Sequence, residues 1–158
     1  MSAVEIKSGR GEAASSLKGM PLLEIEDLRI SISSEGSSFE VVKGVSLTVC
    51  ENEIVCLVGE SGCGKSMTAL SVMGLLPRGV ARVTEGKIDY EGRDLLSLQS
   101  RELRRLRGDF ISMIFQDPIT SLDPVFTIGS VLKEVVRSHR DVSRAEAKEI
   151  AVRALVEA

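Results

Sequence analysis

The chain contains Gly59-Glu60-Ser61-Gly62-Cys63-Gly64-Lys65-Ser66, which fits the phosphate-binding pattern G-x-x-x-x-G-K-[ST]. An apolar run precedes it, Ile54-Val55-Cys56-Leu57-Val58, and predicts a short buried strand of a parallel sheet. Residues 67–76 follow with apolar side chains at helical spacing and stop at Pro77. A strand, a glycine loop and a helix in this order are the setting that the pattern requires. We therefore interpret the segment as a P-loop rather than as a Gly/Ser-rich turn that matches by chance.

Each residue type in this loop has a chemical role. The glycines allow backbone N–H groups to turn inward around a phosphate, and the N-terminus of the next helix adds partial positive charge. The Lys65 ammonium can reach the β- and γ-phosphates of ATP, and the Ser66 hydroxyl can bind Mg²⁺. The predicted nucleotide-binding residues of this segment are Gly59, Glu60, Ser61, Gly62, Cys63, Gly64, Lys65, Ser66 and Met67.

Length and composition are those of a globular protein. The 158 residues can bury one core, and hydrophobic residues make up 43% of the sequence. A net charge of −3 provides no overall basic field for nucleic acid, and three irregularly spaced cysteines indicate a reducing compartment. No run approaches the roughly 18 apolar residues of a membrane span, and residues 1–18 lack the apolar centre of a signal peptide. Any connection to a membrane is therefore expected to pass through a partner protein.

The first part of the chain predicts a tail followed by two antiparallel strands. Residues 1–21 are rich in Ser, Gly, Ala and charge without periodicity, which favours a disordered tail. Residues 22–33 and 41–49 alternate loosely between apolar and polar side chains, with a bend near Glu26-Asp27 and a bulge at Lys43-Gly44. Because the turn between them is too short for a crossover helix, the two strands are expected to run antiparallel.

Further elements are predicted after Pro77. Residues 78–84 are expected to form a loop, 85–90 a short strand, and 100–107 a helix that Gly108 closes. The four arginines of that helix are interpreted as a solvated surface.

A second apolar run occupies residues 110–115 and predicts another buried parallel strand. The polar break Gln116-Asp117-Pro118 ends it, because a residue before proline avoids regular helical geometry and proline lacks an N–H group.

Two more helices are marked by their N-terminal caps. Thr127 is placed to cap a helix that reaches about His139. Ser143 and Glu146 form a capping box that opens a last helix, which continues to residue 158. The single histidine, His139, is interpreted as a solvent-exposed loop residue.

A resemblance to the ATP-binding subunits of ABC transporters rests on the P-loop together with Phe115-Gln116-Asp117-Pro118 and Ser121-Leu122-Asp123-Pro124. The form of residues 114–124 resembles the branch that imports dipeptides, oligopeptides and nickel. Three further segments fit that branch, namely Glu85-Gly86-Lys87-Ile88, Asp94-Leu95-Leu96 and Gly129-Ser130-Val131. The resemblance covers residues 22–158. The P-loop followed about fifty residues later by Gln116 is far more specific than the P-loop alone.

The resemblance implies site residues beyond the P-loop. Gln116 would end a strand beside the P-loop strand, where its amide oxygen can bind Mg²⁺ and its NH₂ group can position water. Lys65 and Gln116 are thus the expected catalytic residues, and Ser66 and Gln116 the expected Mg²⁺ ligands. In the family an aromatic side chain of the early strands stacks on adenine, and Phe39 is the candidate here.

The resemblance also implies a function, the coupling of ATP hydrolysis to the import of peptides or related solutes. Two ATP-binding subunits would enclose two ATP molecules, and their closure would drive transmembrane permease subunits. The expected partners are those permease subunits and a second ATP-binding subunit, identical or different, with no nucleic acid. The expected location is cytoplasmic, peripheral on the inner face of the cell membrane.

Several family segments do not occur in these 158 residues, namely the signature Leu-Ser-Gly-Gly-Gln, an apolar strand ending in Asp-Glu, and a switch histidine in the right context. We therefore expect the N-terminal portion of a longer subunit, unable by itself to hydrolyse ATP. The predicted fold is α/β, with a tail over 1–21 and a P-loop NTPase core with an antiparallel N-terminal β layer over 22–116. Residues 117–158 would be the beginning of a helical subdomain, which makes the predicted fold incomplete.

Three alternatives stand beside this interpretation. A non-transport ABC ATPase acting on nucleic acid or ribosomes is disfavoured by the segment after Gln116 and by the acidic net charge. A P-loop small-molecule kinase would need an arginine-rich lid, for which the helix over 100–107 is the candidate, and would transfer phosphate to nucleoside monophosphates. The third alternative is an inactive fragment that only binds ATP.

Overall fold

The computed structural model describes residues 5–7, 19–34, 37–116 and 123–157. It divides into two compact units, Met1–Leu103 and Arg104–Ala158. In chain order the elements are β1 (Glu5–Lys7), β2 (Pro21–Ser34), β3 (Ser37–Cys50), β4 (Cys56–Val58), α1 (Lys65–Val72), β5 (Ala81–Tyr90), β6 (Arg93–Asp94), α2 (Ser100–Leu106), α3 (Ile128–His139) and α4 (Arg144–Glu157).

Some sequence predictions lie outside the described residues. They are those for Asp117 and Pro118, for the segment 119–122, and for most of the tail.

The first unit is built on an antiparallel sheet with the strand order β3-β2-β5-β6. This confirms the predicted antiparallel N-terminal layer. Its core consists of alternate side chains from three neighbouring strands, which lose their contact with water when they pack together. The largest fully buried side chains are those of Leu28, Ile30, Val42 and Ile88.

The predicted bend in β2 is confirmed and explains how the strand keeps its apolar side chains on one face. Ile25 and Leu28 are both buried although their odd spacing would place them on opposite faces of a regular strand. The register with β3 shifts between these two residues, and Asp27 takes a φ of 42°. An irregularity of this kind adds one residue to the strand and returns the next side chain to the core.

Strand β5 begins at Ala81, so the prediction of a loop over 78–84 is wrong for its last four residues. The reason is the length of β2, whose second half pairs with this segment, Ile30 with Val83 and Ile32 with Ala81. Gly86 lies where β5 crosses the bend of β2. A Cβ there would come within 2.6 Å of the Asp27 carbonyl oxygen.

Helix α1 ends at Val72, four residues before the end that the sequence predicts. Gly74 takes a φ of 60°, donates its N–H to the Ser71 carbonyl, and is followed by a bond from the Leu75 N–H to the Leu70 carbonyl. This pair of bonds is a Schellman motif, which ends a helix because glycine enters the left-handed region without a steric cost.

The prediction of two adjacent buried parallel strands is wrong. Strand β4 covers only Cys56–Val58 and pairs antiparallel with β1, a segment within the stretch predicted to be disordered. Residues 112–115 form no strand, and the neighbouring Ile111 makes only an isolated bridge to Arg107. Ile54 is 89% exposed and Ile114 is 92% exposed. An apolar run becomes a strand only where another strand accepts its backbone hydrogen bonds, and within the described ranges only β1 does so for β4.

The second unit contains the end of α2 and the pair α3 and α4, which pack against each other. Both predicted caps are confirmed. The Ser130 N–H donates to Thr127 Oγ1 at 3.2 Å, and Ser143 and Glu146 exchange backbone-to-side-chain bonds of 2.8 and 3.3 Å. Ala147 and Ala151 are buried in α4, where small side chains allow a close approach.

His139 is an exposed residue, as predicted, but it does not lie in a loop. It is the last residue of α3, its side chain is 25% exposed, and its Nδ1 lies 3.3 Å from an Asp109 carboxylate oxygen. Across the described ranges, no helix is both long and apolar enough to cross a membrane.

Candidate functional site

The predicted P-loop connects β4 to α1 and is held against β3. Gly62 and Gly64 have φ angles of 83° and 97°, in the left-handed region that favours glycine. Gly64 is buried, and a Cβ there would lie 2.7 Å from the Val41 carbonyl oxygen and 2.8 Å from Val42 Cγ2. The start of α1 therefore lies against the β3 backbone at a distance that only glycine allows.

The Lys65 side chain folds back across the loop. Its Nζ donates to the carbonyl oxygens of Gly59 at 2.8 Å and Glu60 at 2.7 Å, and it lies 3.5 Å from Cys63 Sγ. These contacts place one positive charge inside the loop and fix its position with neutral partners. No carboxylate of the described residues neutralises that charge, so it remains available to an anion.

The N-terminus of α1 offers N–H groups without a capping side chain. Its N-cap is Gly64, no side chain of the described residues bonds there, and the first turn carries no acidic residue. The first N–H groups of any helix lack intrahelical partners, and they carry partial positive charge. The loop and the helix end together form a concave set of donors suited to a phosphate group.

Thr68 and Ser71 support this arrangement from the buried side of α1. The Thr68 hydroxyl donates to the Gly64 carbonyl at 3.1 Å, and the Ser71 hydroxyl donates to the Thr68 carbonyl at 2.6 Å. Both residues are buried. These two residues were not identified from the sequence, because neither belongs to a recognised motif. Thr68 could have been identified by its position four residues after the last loop glycine, where a threonine hydroxyl can reach the glycine carbonyl.

The remaining predicted loop residues differ in exposure. Glu60, Ser61 and Ser66 are exposed, whereas Cys63 and Met67 are half-buried. The Ser66 hydroxyl makes no hydrogen bond with another residue in the part of the chain that the structure describes. It is thus open to a cation bound beside the phosphates.

Phe39 lies on β3, opposite Ile32, and is 61% exposed. It stands two residues before Val41, whose carbonyl oxygen faces Gly64. An exposed aromatic side chain is therefore carried by the strand that borders the loop.

Gln116 belongs to the second unit and is exposed at the end of the irregular segment 112–115. The loop, α1 and β3, which form the candidate site, all belong to the first unit.

The chemical groups of the loop fit a nucleotide with bound Mg²⁺. Gly64 has no room for a Cβ, Lys65 supplies a charge without an acidic partner, and Ser66 supplies a hydroxyl. These groups are the donor set that phosphate oxygens and a hard cation require.

Comparison with known proteins shows that a family model described as ABC transporter matches residues 42–157. Two similar relatives are a probable peptide ABC transporter ATP-binding protein of Sinorhizobium fredii, 47% identical, and the dipeptide transport ATP-binding protein DppD of Bacillus subtilis, 43% identical. The alignments cover 85% and 80% of this chain. The chain spans only 40% and 38% of the length of these relatives.

A third relative is the oligopeptide transport ATP-binding protein OppD of Bacillus subtilis, 40% identical over 85% of this chain and 37% of its own length. Among solved structures, the chain is similar to a dimeric ATP-binding cassette in a post-hydrolysis state bound to ADP and Pi. The TM-score is 0.62 at 22% identity, and the match covers 84% of this chain and 55% of that one. At this identity the match shows the fold, that of a P-loop ATPase.

Proposed function

The chain belongs to the ABC transporter family, and on that premise we propose that its P-loop binds Mg-ATP as part of an ATP-binding subunit that powers the import of peptides. The family membership implies nucleotide binding in general. That the nucleotide is ATP and the transported solute a peptide is the proposal, which the similarity to peptide, dipeptide and oligopeptide transport ATP-binding proteins supports.

One observation carries the nucleotide-binding part of this proposal. The Lys65 ammonium is held inside the loop by two carbonyl oxygens, at 2.8 and 2.7 Å, beside the uncapped N-terminus of α1. Hydrogen bonds to neutral carbonyls are weaker than bonds to a charged phosphate oxygen. A bound phosphate group would therefore form stronger hydrogen bonds with the ammonium than the two carbonyls that orient it.

We assign roles to the other predicted residues in the same proposal. Ser66 would bind Mg²⁺, which neutralises phosphate charge when it is present. Gln116 would act with Lys65 in catalysis and as the second protein ligand of the metal. Phe39 would stack on the adenine ring, since an aromatic face and a base attract each other over their whole area.

The proposed domain arrangement is a nucleotide-binding core over 22–116 and the start of a helical subdomain over 117–158. The proposed partners are transmembrane permease subunits and a second ATP-binding subunit. The location that follows is the inner face of the cell membrane, reached through those subunits.

Uptake of a labelled dipeptide and a labelled pentapeptide by cells tests the proposed transport function. The gene carries either Lys65→Ala or Arg153→Ala, the latter removing one exposed positive charge from α4. We expect Lys65→Ala to abolish peptide uptake, with Arg153→Ala and the uptake of an unrelated sugar unchanged. Peptide uptake at the normal rate in the Lys65→Ala cells would refute the proposal.

A further inference from the structure

A groove of about 660 Å³ lies between α3 and α4 in the second unit. Its charged lining consists of Lys133, Glu134 and Arg137 from α3, and Arg144 and Lys148 from α4. Four cations and one carboxylate give this α3–α4 groove a net positive charge in a chain whose net charge is −3.

The four cations have no partners among the residues that the structure describes. No ion pair or side-chain hydrogen bond joins any of them to another residue in the described ranges. By contrast, Arg29 on the sheet of the first unit contacts three carboxylates, those of Asp27, Glu40 and Glu85. Charges of like sign that face one groove without counter-ions repel each other, so an anionic ligand that enters removes an unfavourable interaction.

The cations form two short rows with regular spacing. Lys133 and Arg137 are four residues apart on α3, and Arg144 and Lys148 are four residues apart on α4. Four residues of helix rise about 6 Å. In an extended peptide, side chains on one face recur every two residues, at about 6.6 Å. Acidic residues at alternate positions of an extended segment therefore match the spacing of each row.

The other polar groups of the groove add no hydroxyl donor for an anion but do offer an acceptor for a peptide N–H group. Ser130 and Ser138 donate their hydroxyl hydrogens to the carbonyls of Thr127 and Val135, at 2.7 Å each, and so have no hydrogen left for a phosphate. Glu134 contributes a carboxylate, which can accept a peptide N–H group.

We propose that the α3–α4 groove binds an extended acidic segment of a partner protein, with Asp or Glu at alternate positions. The site lies wholly within the second unit and uses no residue of the P-loop. Binding of such a segment is thus independent of nucleotide binding, and either proposal can fail without the other.

Fluorescence anisotropy with a labelled Glu-Ser-Glu-Ser-Glu-Ser-Glu peptide and the 158-residue chain tests this site. We expect saturable binding that weakens as salt is raised, because exposed charges are screened. The double variant Lys133→Gln/Arg137→Gln should bind about tenfold more weakly, since two charge pairs at the protein surface are lost. The matched control is Arg101→Gln/Arg105→Gln, which removes two exposed charges at the same spacing from α2 and should bind normally.

A second double variant, Arg144→Gln/Lys148→Gln, should also weaken peptide binding, and it serves as the test if the first variant does not fold. Circular dichroism measures the helix content of both variants. Absence of saturable peptide binding, or equal loss in the α2 control, would overturn the proposal. Binding to vesicles of phosphatidylcholine and phosphatidylserine is measured in parallel, to test lipid headgroups as the alternative ligand. If the groove variants lose vesicle binding but retain peptide binding, the groove recognises lipid headgroups and the proposal is wrong.

Discussion

Gly64 and Lys65 set the geometry of the candidate nucleotide site through two adjacent positions. Gly64 turns the chain into α1 at a φ of 97° and allows the Val41 carbonyl to approach. Lys65 is the first residue of α1, and its ammonium group donates a hydrogen bond to the carbonyl of the first loop residue. Backbone conformation and charge are thus separate requirements that single substitutions can distinguish.

Gly64→Ala is expected to destabilise the chain more than Gly62→Ala. Both substitutions place a Cβ at positive φ, which costs about 1–2 kcal/mol. Only at Gly64 does the new atom meet backbone, at 2.7 Å from the Val41 oxygen, whereas nothing lies within 4 Å of it at Gly62. The overlap should add about 1–3 kcal/mol. Urea unfolding of both variants measures the difference, and equal midpoints would contradict the role assigned to β3.

Caps and turns at the scale of single elements were predictable because their interactions are local. Thr127 bonds three residues ahead, and Gly108 takes a φ of 88° two residues after the end of α2. The runs 54–58 and 110–115 were not predictable in the same way. Their apolar character shows that they avoid water, but a strand also needs a partner, and the residues alone do not say whether one is present. For the same reason the loop residues of the site were predictable, whereas the contribution of Val41 was not.

Ser143→Ala is expected to weaken α4 by about 1 kcal/mol, because the Glu146 N–H loses its side-chain acceptor at the helix start. Thermal melting followed by the helical circular dichroism signal measures this loss. Ser138→Ala, which removes a hydroxyl near the end of α3, is the matched control and should change the melting temperature less. An equal decrease in both variants would contradict the capping role.

The capping box also predicts a dependence on pH. Hydrogen bonds from the Ser143 side chain and backbone lower the pKa of Glu146 below its usual value of 4.5. A carboxylate with a lowered pKa contributes stability above pH 4.5, and this stability is lost as the pH falls through its folded-state pKa. The stability difference between the wild type and Glu146→Gln should therefore be present at pH 7 and be lost as the pH falls below 4.5 and through the lowered pKa of Glu146. A difference independent of pH would show that ionised Glu146 has no capping role.

Large apolar side chains remain exposed across the whole molecule. Ile54, Ile114, Val125 and Val156 are each more than 80% exposed. Each exposed side chain of this size forgoes about 1.5–3 kcal/mol of burial, so association that covers them is favourable. The 158-residue chain is expected to self-associate, with an elution volume in size-exclusion chromatography that falls as concentration rises. Ile114→Gln/Val125→Gln should reduce this association, and a wild-type chain that elutes as a monomer at every concentration would contradict the expectation.

Nucleotide binding by the P-loop is the central claim, and a titration of a fluorescent ATP analogue in the presence of Mg²⁺ tests it most directly. The proteins are the wild type, Lys65→Ala and the charge-matched control Arg153→Ala, each at submicromolar concentration. A hydrogen bond to a charged group is worth about 1.5–3 kcal/mol, so Lys65→Ala should bind at least about tenfold more weakly. The wild type and Arg153→Ala should share one Kd. Equal affinity of the wild type and Lys65→Ala would contradict the claim.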